Sequence, residues 1–276
     1  MVPQIKLDSG ASIPQIGLGV WQVEPTITVQ VVLDAIDAGY RSIDTAEGYQ
    51  NEEGVGQAVR QTGVPRSELF ITSKLRNAAH ERDKALKAFD QTMKYLGLEQ
   101  LDLFLIHWPV PKQNKYVEAW KTLIELRDQG RVRSIGVSNF NQEHLERIIG
   151  ETGVTPAVNQ IELHPRFQQR DKREYLASHN IQIESWSPLG SGQLLQDPTL
   201  EKIARKHGKS VAQTIIRWHV QEKLVVIPKS VHKDRIVANI DVFDFELDSD
   251  DMQMIRGMDS PDGRTGFDPK TADFLF

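Results

Sequence analysis

Four residues carry side chains suited to moving a proton onto a carbonyl oxygen: Asp44, Tyr49, Lys74 and His107. Each sits at or just beyond the end of an apolar run, Asp44 and Tyr49 with RSIDT, Lys74 with FITSK and His107 with DLFLIH. Hydride delivered to a carbonyl carbon leaves an alkoxide that needs a proton, and a phenol of ordinary pKa, about 10, is a poor donor near neutrality. An ammonium beside the phenolic oxygen stabilises the phenolate and lowers that pKa, while a carboxylate keeps the ammonium charged and in place. The expected roles follow: Tyr49 as general acid, Lys74 as its pKa-lowering partner and Asp44 as the group that orients Lys74. His107, as a neutral imidazole, would donate an N–H to the substrate carbonyl and orient it.

Such residues act together only if the fold gathers them. Eight short apolar runs read as strands: PQIGLGV near Gly17, YRSIDT to Thr45, LFITSK to Lys74, LDLFLIHW to Trp108, RSIGVSNF to Phe140, PAVNQIELH to His164, IQIESWSP to Pro188 and LVVIPKS to Ser230. Amphipathic stretches lie between them, among them ITVQVVLDAIDAGY, KALKAFDQTMKYLG, EAWKTLIELRDQG and TLEKIARKHGK, several ending at a glycine. SVAQTIIRWHVQEK adds one helix more than strict alternation needs. The pattern predicts an α/β fold, a (β/α)8 TIM barrel of parallel strands, and QIKL-DSGA-SIPQ predicts an N-terminal β-hairpin closing the barrel bottom. No linker or low-complexity tract divides the chain, so a single domain over 1–276 is expected. Barrel active sites lie at the C-terminal strand ends, where Asp44, Lys74, His107, Ser138, Asn139, Gln160, Trp186 and Lys229 fall. One such residue alone reads as a solvated rim group; the repetition along successive strands does not.

Composition narrows the function classes. The 276 residues carry a formal charge of −5 with no basic stripe, which argues against a nucleic-acid or membrane-surface partner. With no cysteine, thiolate catalysis, thiolate metal sites and disulfides are excluded. The start, MVPQIKLDSG, lacks a basic segment followed by an apolar one, and no run approaches the roughly 18 apolar residues of a membrane span. A soluble cytoplasmic protein is expected.

Six motifs, in order, carry a resemblance: DTAEGYQNEEGVG (Asp44 to Gly56), FITSKL (Phe70 to Leu75), LIHWP (Leu105 to Pro109), GVSNF (Gly136 to Phe140), NQIELHP (Asn159 to Pro165) and IPKS (Ile227 to Ser230). Together they resemble the signatures of the aldo-keto reductases, from the first hairpin to the C-terminal tail. Within that family the chain looks most like the short bacterial 2,5-diketo-D-gluconate and methylglyoxal reductases, partly because IESWSPLG has Trp where many relatives have Tyr. The resemblance implies NADP-dependent reduction of a small-molecule carbonyl substrate, the roles given above for the four catalytic residues, and a monomer.

The hydride source is read differently, because no G-x-G-x-x-G follows a strand and Gly17 and Gly19 are too few for a Rossmann site. Ser138, Asn139 and Gln160 could hydrogen-bond a carboxamide, and Trp186 could stack on a nicotinamide face; plain packing is the alternative for Trp186. Lys229, Ser230, Val231 and Arg235 put two cations and a hydroxyl at the end of the eighth strand and the next helix, which suits a 2′-phosphate and favours NADPH (NADP+) over NADH. Solvated surface charge is the alternative for Arg235. Ser187 and Leu189 are further cofactor contacts implied by the resemblance. Ala238 departs from the family, where Glu often precedes the Asn that meets adenine, leaving Asn239 to make that contact alone.

Arg76 stands where relatives often have Trp, so Trp21 and Trp108 are the expected aromatic wall of the substrate pocket. Arg76 is expected to pair with Glu47 across the mouth or to grip a substrate carboxylate or phosphate. Two further readings stay open. A metal-dependent barrel hydrolase could use Asp44, His107, Glu162 and His164, although no His-x-His start supports it and no metal site is expected. A non-catalytic, regulatory aldo-keto fold is the other. The tail residues Phe267, Phe274 and Phe276 would pack over the pocket or onto the barrel wall.

Overall fold

In the computed structural model, which describes residues 2–276, the chain opens with β1 (Gln4–Lys6) and β2 (Ser12–Pro14), paired antiparallel. Gly10 makes the turn between them with φ +85°, a conformation glycine adopts without steric penalty. Strands and helices then alternate: β3 (Leu18–Gly19), α1 (Pro25–Asp37), β4 (Ser42–Asp44), α2 (Glu52–Gln61), β5 (Phe70–Leu75), α3 (Arg82–Leu96), β6 (Leu101–Ile106) and α4 (Tyr116–Asp128). They continue with β7 (Val132–Ser138), α5 (Gln142–Thr152), β8 (Val158–Glu162), α6 (Arg170–Ser178), β9 (Gln182–Trp186), α7 (Pro198–His207), α8 (Val211–Gln221), β10 (Val225–Val226), α9 (Lys233–Ile240) and α10 (Ser249–Arg256).

The strands from β3 to β10 form one eight-stranded parallel sheet in sequence order. The sheet curls until its ends meet: Ile16 bridges Val226, and Gly17 and Gly19 donate backbone N–H bonds to Val226 and Pro228 at 2.9 and 3.3 Å. A Cβ on Gly19 would lie 3.0 Å from the Ile227 carbonyl oxygen, so the closeness of this seam explains the glycine. Both terminal strands are shorter than their apolar runs. At β10, Pro228 has no N–H to extend the ladder.

Every residue of β5 and β6 is buried, because helices cover one face and the curled interior the other. The two faces separate along β6 from Leu103 onward. Phe104 and Ile106 join the large core under the helices, whereas Leu103 and Leu105 turn inward. There they form one cluster with Leu7 and Ile13 of the hairpin and with Phe70, Ala157, Val158 and Val225 near strand starts. The hairpin thus packs across the end where the chain enters the sheet, with Ser9 Oγ 2.7 Å from Ser134 Oγ. Burying a Leu or Ile side chain contributes roughly 1.5–3 kcal/mol, so this plug holds the strand starts together.

The α2 face that turns inward includes Glu52 and Gly56, which interrupt the apolar periodicity a helix normally displays. Helix α10 is short and begins at an Asp248–Asp251 capping box.

Candidate active site

Period-2 alternation sends Asp44, Lys74, His107, Gln160, Glu184 and Trp186 from their different strands toward the same end of the sheet interior. Lys74 is sealed there with no solvent exposure. Its Nζ donates to Asp44 Oδ1 at 2.6 Å, to the Thr45 carbonyl at 2.9 Å and toward the Tyr49 hydroxyl at 3.3 Å, which uses all three N–H groups. Tyr49 arrives from a single 3-10 turn, Glu47–Tyr49, and its ring meets the His107 ring edge-on at 5.7 Å. A second layer supports Asp44: Gln160 Nε2 donates to Asp44 Oδ2 at 2.8 Å and to Glu184 Oε2 at 2.7 Å.

Burial alone would lower the Lys74 pKa, but Asp44 and the other neighbouring groups outweigh it and raise it to about 12, so the ammonium is permanent. Burial, reinforced by Lys74, holds the His107 pKa well below the usual imidazole value, so His107 is neutral and can donate one ring N–H. The Tyr49 phenol departs from expectation. Lys74 does pull its pKa down, but burial, Asp44 and Glu184 push harder, and the balance lies above the ordinary value. In this state the phenol is a held proton, not a half-ionised acid. Glu184 is raised to about 8, first by burial and then by Asp44, so it is a neutral carboxylic acid at pH 7.

Above this cluster opens a cavity of about 510 Å³. Tyr49, His107, Trp21, Trp108 and Trp186 line it, with Phe267, Phe274 and Phe276 from the tail. Phe274 packs edge-on against Trp108 at 5.2 Å, and Phe276 against His107 at 5.2 Å, so the tail lies over the pocket. Glu162 fastens it. This carboxylate accepts from Thr265 N and Thr265 Oγ1, both at 2.6 Å, and from Gly266 N at 3.0 Å. A Cβ on Gly266 would fall 2.4 Å from the Trp186 ring, so only glycine lets the tail lie this close. His164 Nε2 is 3.2 Å from the same Glu162, so of the pair in the hydrolase reading Glu162 anchors the tail and His164 is turned onto Glu162. Among the described residues no group of three or more His, Asp or Glu is arranged to hold a metal.

The family model of the aldo/keto reductases matches residues 15–260. The chain belongs to the aldo-keto reductase family. An aldo-keto reductase of Mycolicibacterium smegmatis is 52% identical over 274 residues, 99% of each chain, and methylglyoxal reductase DkgA of Escherichia coli is 50% identical over 267 residues, 96% of each. Among solved structures, Gox0644 in its apo form superposes with a TM-score of 0.96 at 53% identity, covering 99% of this chain and all of that one. A mutant of Gox0644 has been solved in complex with NADPH, with the same TM-score and identity. The protein is an oxidoreductase, and no helix among its described residues is long and apolar enough to cross a membrane.

Of the residues expected at the reductase's cofactor site, Ser138, Asn139, Gln160, Trp186, Ser187 and Lys229 line the cavity. Asn139 and Ser187 have φ of 63° and 47°, in the left-handed region that favours glycine. Asn139 is fully engaged: its Oδ1 accepts from Trp186 Nε1 at 2.8 Å, and its Nδ2 donates to the His107 carbonyl and Ser138 Oγ, both at 3.1 Å. Leu189, Ser230, Val231, Arg235 and Asn239 stand outside the cavity lining. Ser230 Oγ accepts from His232 N at 3.1 Å just before α9, on which Arg235 is exposed and Asn239 buried.

Trp21 and Trp108 line the pocket, whereas Glu47 and Arg76 pair with each other at 2.9 Å outside its lining. Sequence reasoning overlooked Glu184 and the Glu162 clasp. The available signal was alternation: in IESW, Glu184 shares the inward face with Trp186, and a carboxylate placed inside an apolar strand needs a reason.

Proposed function

We propose that this aldo-keto reductase reduces small aldehydes and ketones, of the methylglyoxal or 2,5-diketo-D-gluconate type, to alcohols with NADPH, using Tyr49 as the proton donor. The observation that carries the reading is the Lys74 ammonium set between the Asp44 carboxylate and the Tyr49 hydroxyl at the floor of an aromatic-walled cavity. The methylglyoxal reductase name of the Escherichia coli relative and the NADPH complex of the Gox0644 mutant support it.

The residues present fit the cofactor. Trp186 offers a half-buried indole face to the cavity, Ser138, Asn139 and Gln160 line it beside that ring with the Gln160 amide oxygen left for a ligand, and Ser187 and Leu189 follow on the same loop. Lys229 and Arg235 are exposed cations flanking Ser230 and Val231 at the start of α9, a setting for a 2′-phosphate, with Asn239 one helix turn further for the adenine. When bound, NADPH supplies the hydride to the carbonyl carbon.

The chain's own groups do the rest. His107 donates an N–H to the carbonyl oxygen and fixes its position over Tyr49. As negative charge gathers on that oxygen, Tyr49 releases its proton to it, and Lys74 stabilises the phenolate left behind. Because the resting phenol sits above its ordinary pKa, the driving force comes from the nascent alkoxide, a far stronger base than the ground-state carbonyl. Asp44 keeps Lys74 charged and aimed throughout. We read residues 1–276 as one catalytic domain acting alone in the cytoplasm.

The test is a panel of aldehydes, diketones, keto acids and sugars with NADPH and with NADH, compared by kcat/KM. Oxidation of NADPH with dicarbonyls at the top of the ranking is expected. Absence of NADPH oxidation with every carbonyl would overturn the reading.

A further inference from the structure

Directly beneath the Asp44–Lys74–Tyr49 cluster, Glu184 is closed off inside the barrel with no solvent exposure. It stands on the inward face of β9, two residues before Trp186. One of its oxygens, Oε2, accepts from Gln160 Nε2 at 2.7 Å, and the other, Oε1, is buried without a partner. The same Gln160 nitrogen donates to Asp44 Oδ2 at 2.8 Å. A single amide is therefore strapped between two carboxyl groups, and this fixes which way it faces. The opposite flip would set its carbonyl oxygen against the Asp44 anion, leaving two acceptors in contact. With Nε2 turned inward, Gln160 keeps only its carbonyl oxygen for the cavity it lines.

We propose that Glu184 is a positioning residue for the reaction: it holds the Gln160 amide, Gln160 holds the Asp44 carboxylate, and Asp44 holds Lys74 against the Tyr49 hydroxyl. The assignment rests on the proposed function of this same site. Neither Glu184 nor Gln160 meets the reacting atoms in this role; their effect is transmitted through the Lys74–Tyr49 geometry.

The charge of Glu184 adds a pH dependence. The charged and titratable groups that face it are Asp44 from β4, Lys74 from β5 and Tyr49 from the turn after β4, while its neighbour on β8, Gln160, is neutral. At pH 7 Glu184 is an acid, and Asp44 alone balances Lys74. Once the pH rises past about 8, Glu184 ionises and a second anion enters a closed, low-dielectric space. That anion stabilises the protonated phenol further and offsets the help Lys74 gives to the phenolate. Proton donation slows, so carbonyl reduction weakens as the pH climbs.

The experiment uses the full chain with NADPH and methylglyoxal, comparing wild type, Glu184→Gln and Glu184→Met across about pH 6 to 9. Glu184→Gln keeps an acceptor for Gln160 but cannot ionise. Its kcat should stay within about twofold of wild type near pH 6.5 and should lack the decline that wild type shows above pH 8. Glu184→Met fills the space without an acceptor, and its kcat should fall about tenfold with KM for methylglyoxal little changed, since only the aim of the proton donor is lost. Wild-type kcat together with the wild-type pH profile in Glu184→Met would overturn the assignment. So would a Glu184→Gln enzyme that retains the alkaline decline, which decides the matter even if Glu184→Met fails to fold. A wild type inactive with NADPH on every carbonyl would instead bring down the proposed function, and this assignment with it.

Discussion

The two ends of the barrel interior are built from the same strands and differ in almost every physical respect. Where the chain enters, inward positions carry Leu103, Leu105, Val158, Val225 and Phe70, sealed by Leu7 and Ile13 of the hairpin. Where it leaves, later inward positions on those strands carry His107, Gln160 and Lys74, joined by Asp44 and Glu184. The entry end is a packed core whose loss is felt in stability. The exit end buries an ammonium, a carboxylate and a neutral acid, groups that are poor stabilisers and that cluster at functional sites. The division teaches that this fold keeps the cost of a buried polar site away from the packing that holds it up.

Mutations can break or sharpen that division. The largest expected effect is at the exit end: Tyr49→Phe should lower kcat by roughly 10²- to 10⁴-fold while leaving the thermal midpoint nearly unchanged. Near-wild-type turnover in this variant would remove Tyr49 from its role. At the entry end the signature should reverse. Leu103→Ala, at a position with no solvent exposure, should cost about 2–5 kcal/mol in urea unfolding, with kcat of the folded enzyme little changed. A large kcat loss there would show that the two ends are coupled.

The smallest effect is expected at the rim, where Arg76 is half exposed and paired with Glu47. Arg76→Ala should change stability by no more than about 1 kcal/mol and should lower kcat/KM on keto acids and neutral aldehydes to the same small degree. A selective loss on keto acids would restore Arg76 as a carboxylate-recognising residue.

Much of this arrangement was legible in the sequence because its signals are local. Apolar runs ending in Lys74 and His107 announce both a strand and the end of that strand at which chemistry sits, and glycines such as Gly97, Gly153 and Gly208 do end helices, with φ of 64°, 69° and 64°. Other features were hidden by physics that spacing does not encode. The Tyr49 phenol shifts upward because burial and two carboxyl groups outweigh one ammonium, a balance visible only once depth is known. Helix α2 disguises itself by turning Glu52 and Gly56 inward. The bonds from Thr265 and Gly266 to Glu162 span about a hundred residues, and no local pattern marks either partner. Arg76 does pair with Glu47, one of the two outcomes expected for it, but the pair lies outside the lining of the substrate pocket, a placement that spacing alone does not encode.

The state of the Lys74 amine has a further meaning for an enzyme that handles aldehydes. Amines condense with carbonyl compounds through their lone pair, and an enzyme that collects reactive dicarbonyls next to a lysine runs the risk of glycating itself. Here the nitrogen carries its proton to about pH 12, spends all three N–H bonds on neighbours and is shut away from bulk water. On the proposed function, the amine nearest the substrate is therefore a poor nucleophile toward it, and self-inactivation by Schiff-base formation at Lys74 is suppressed.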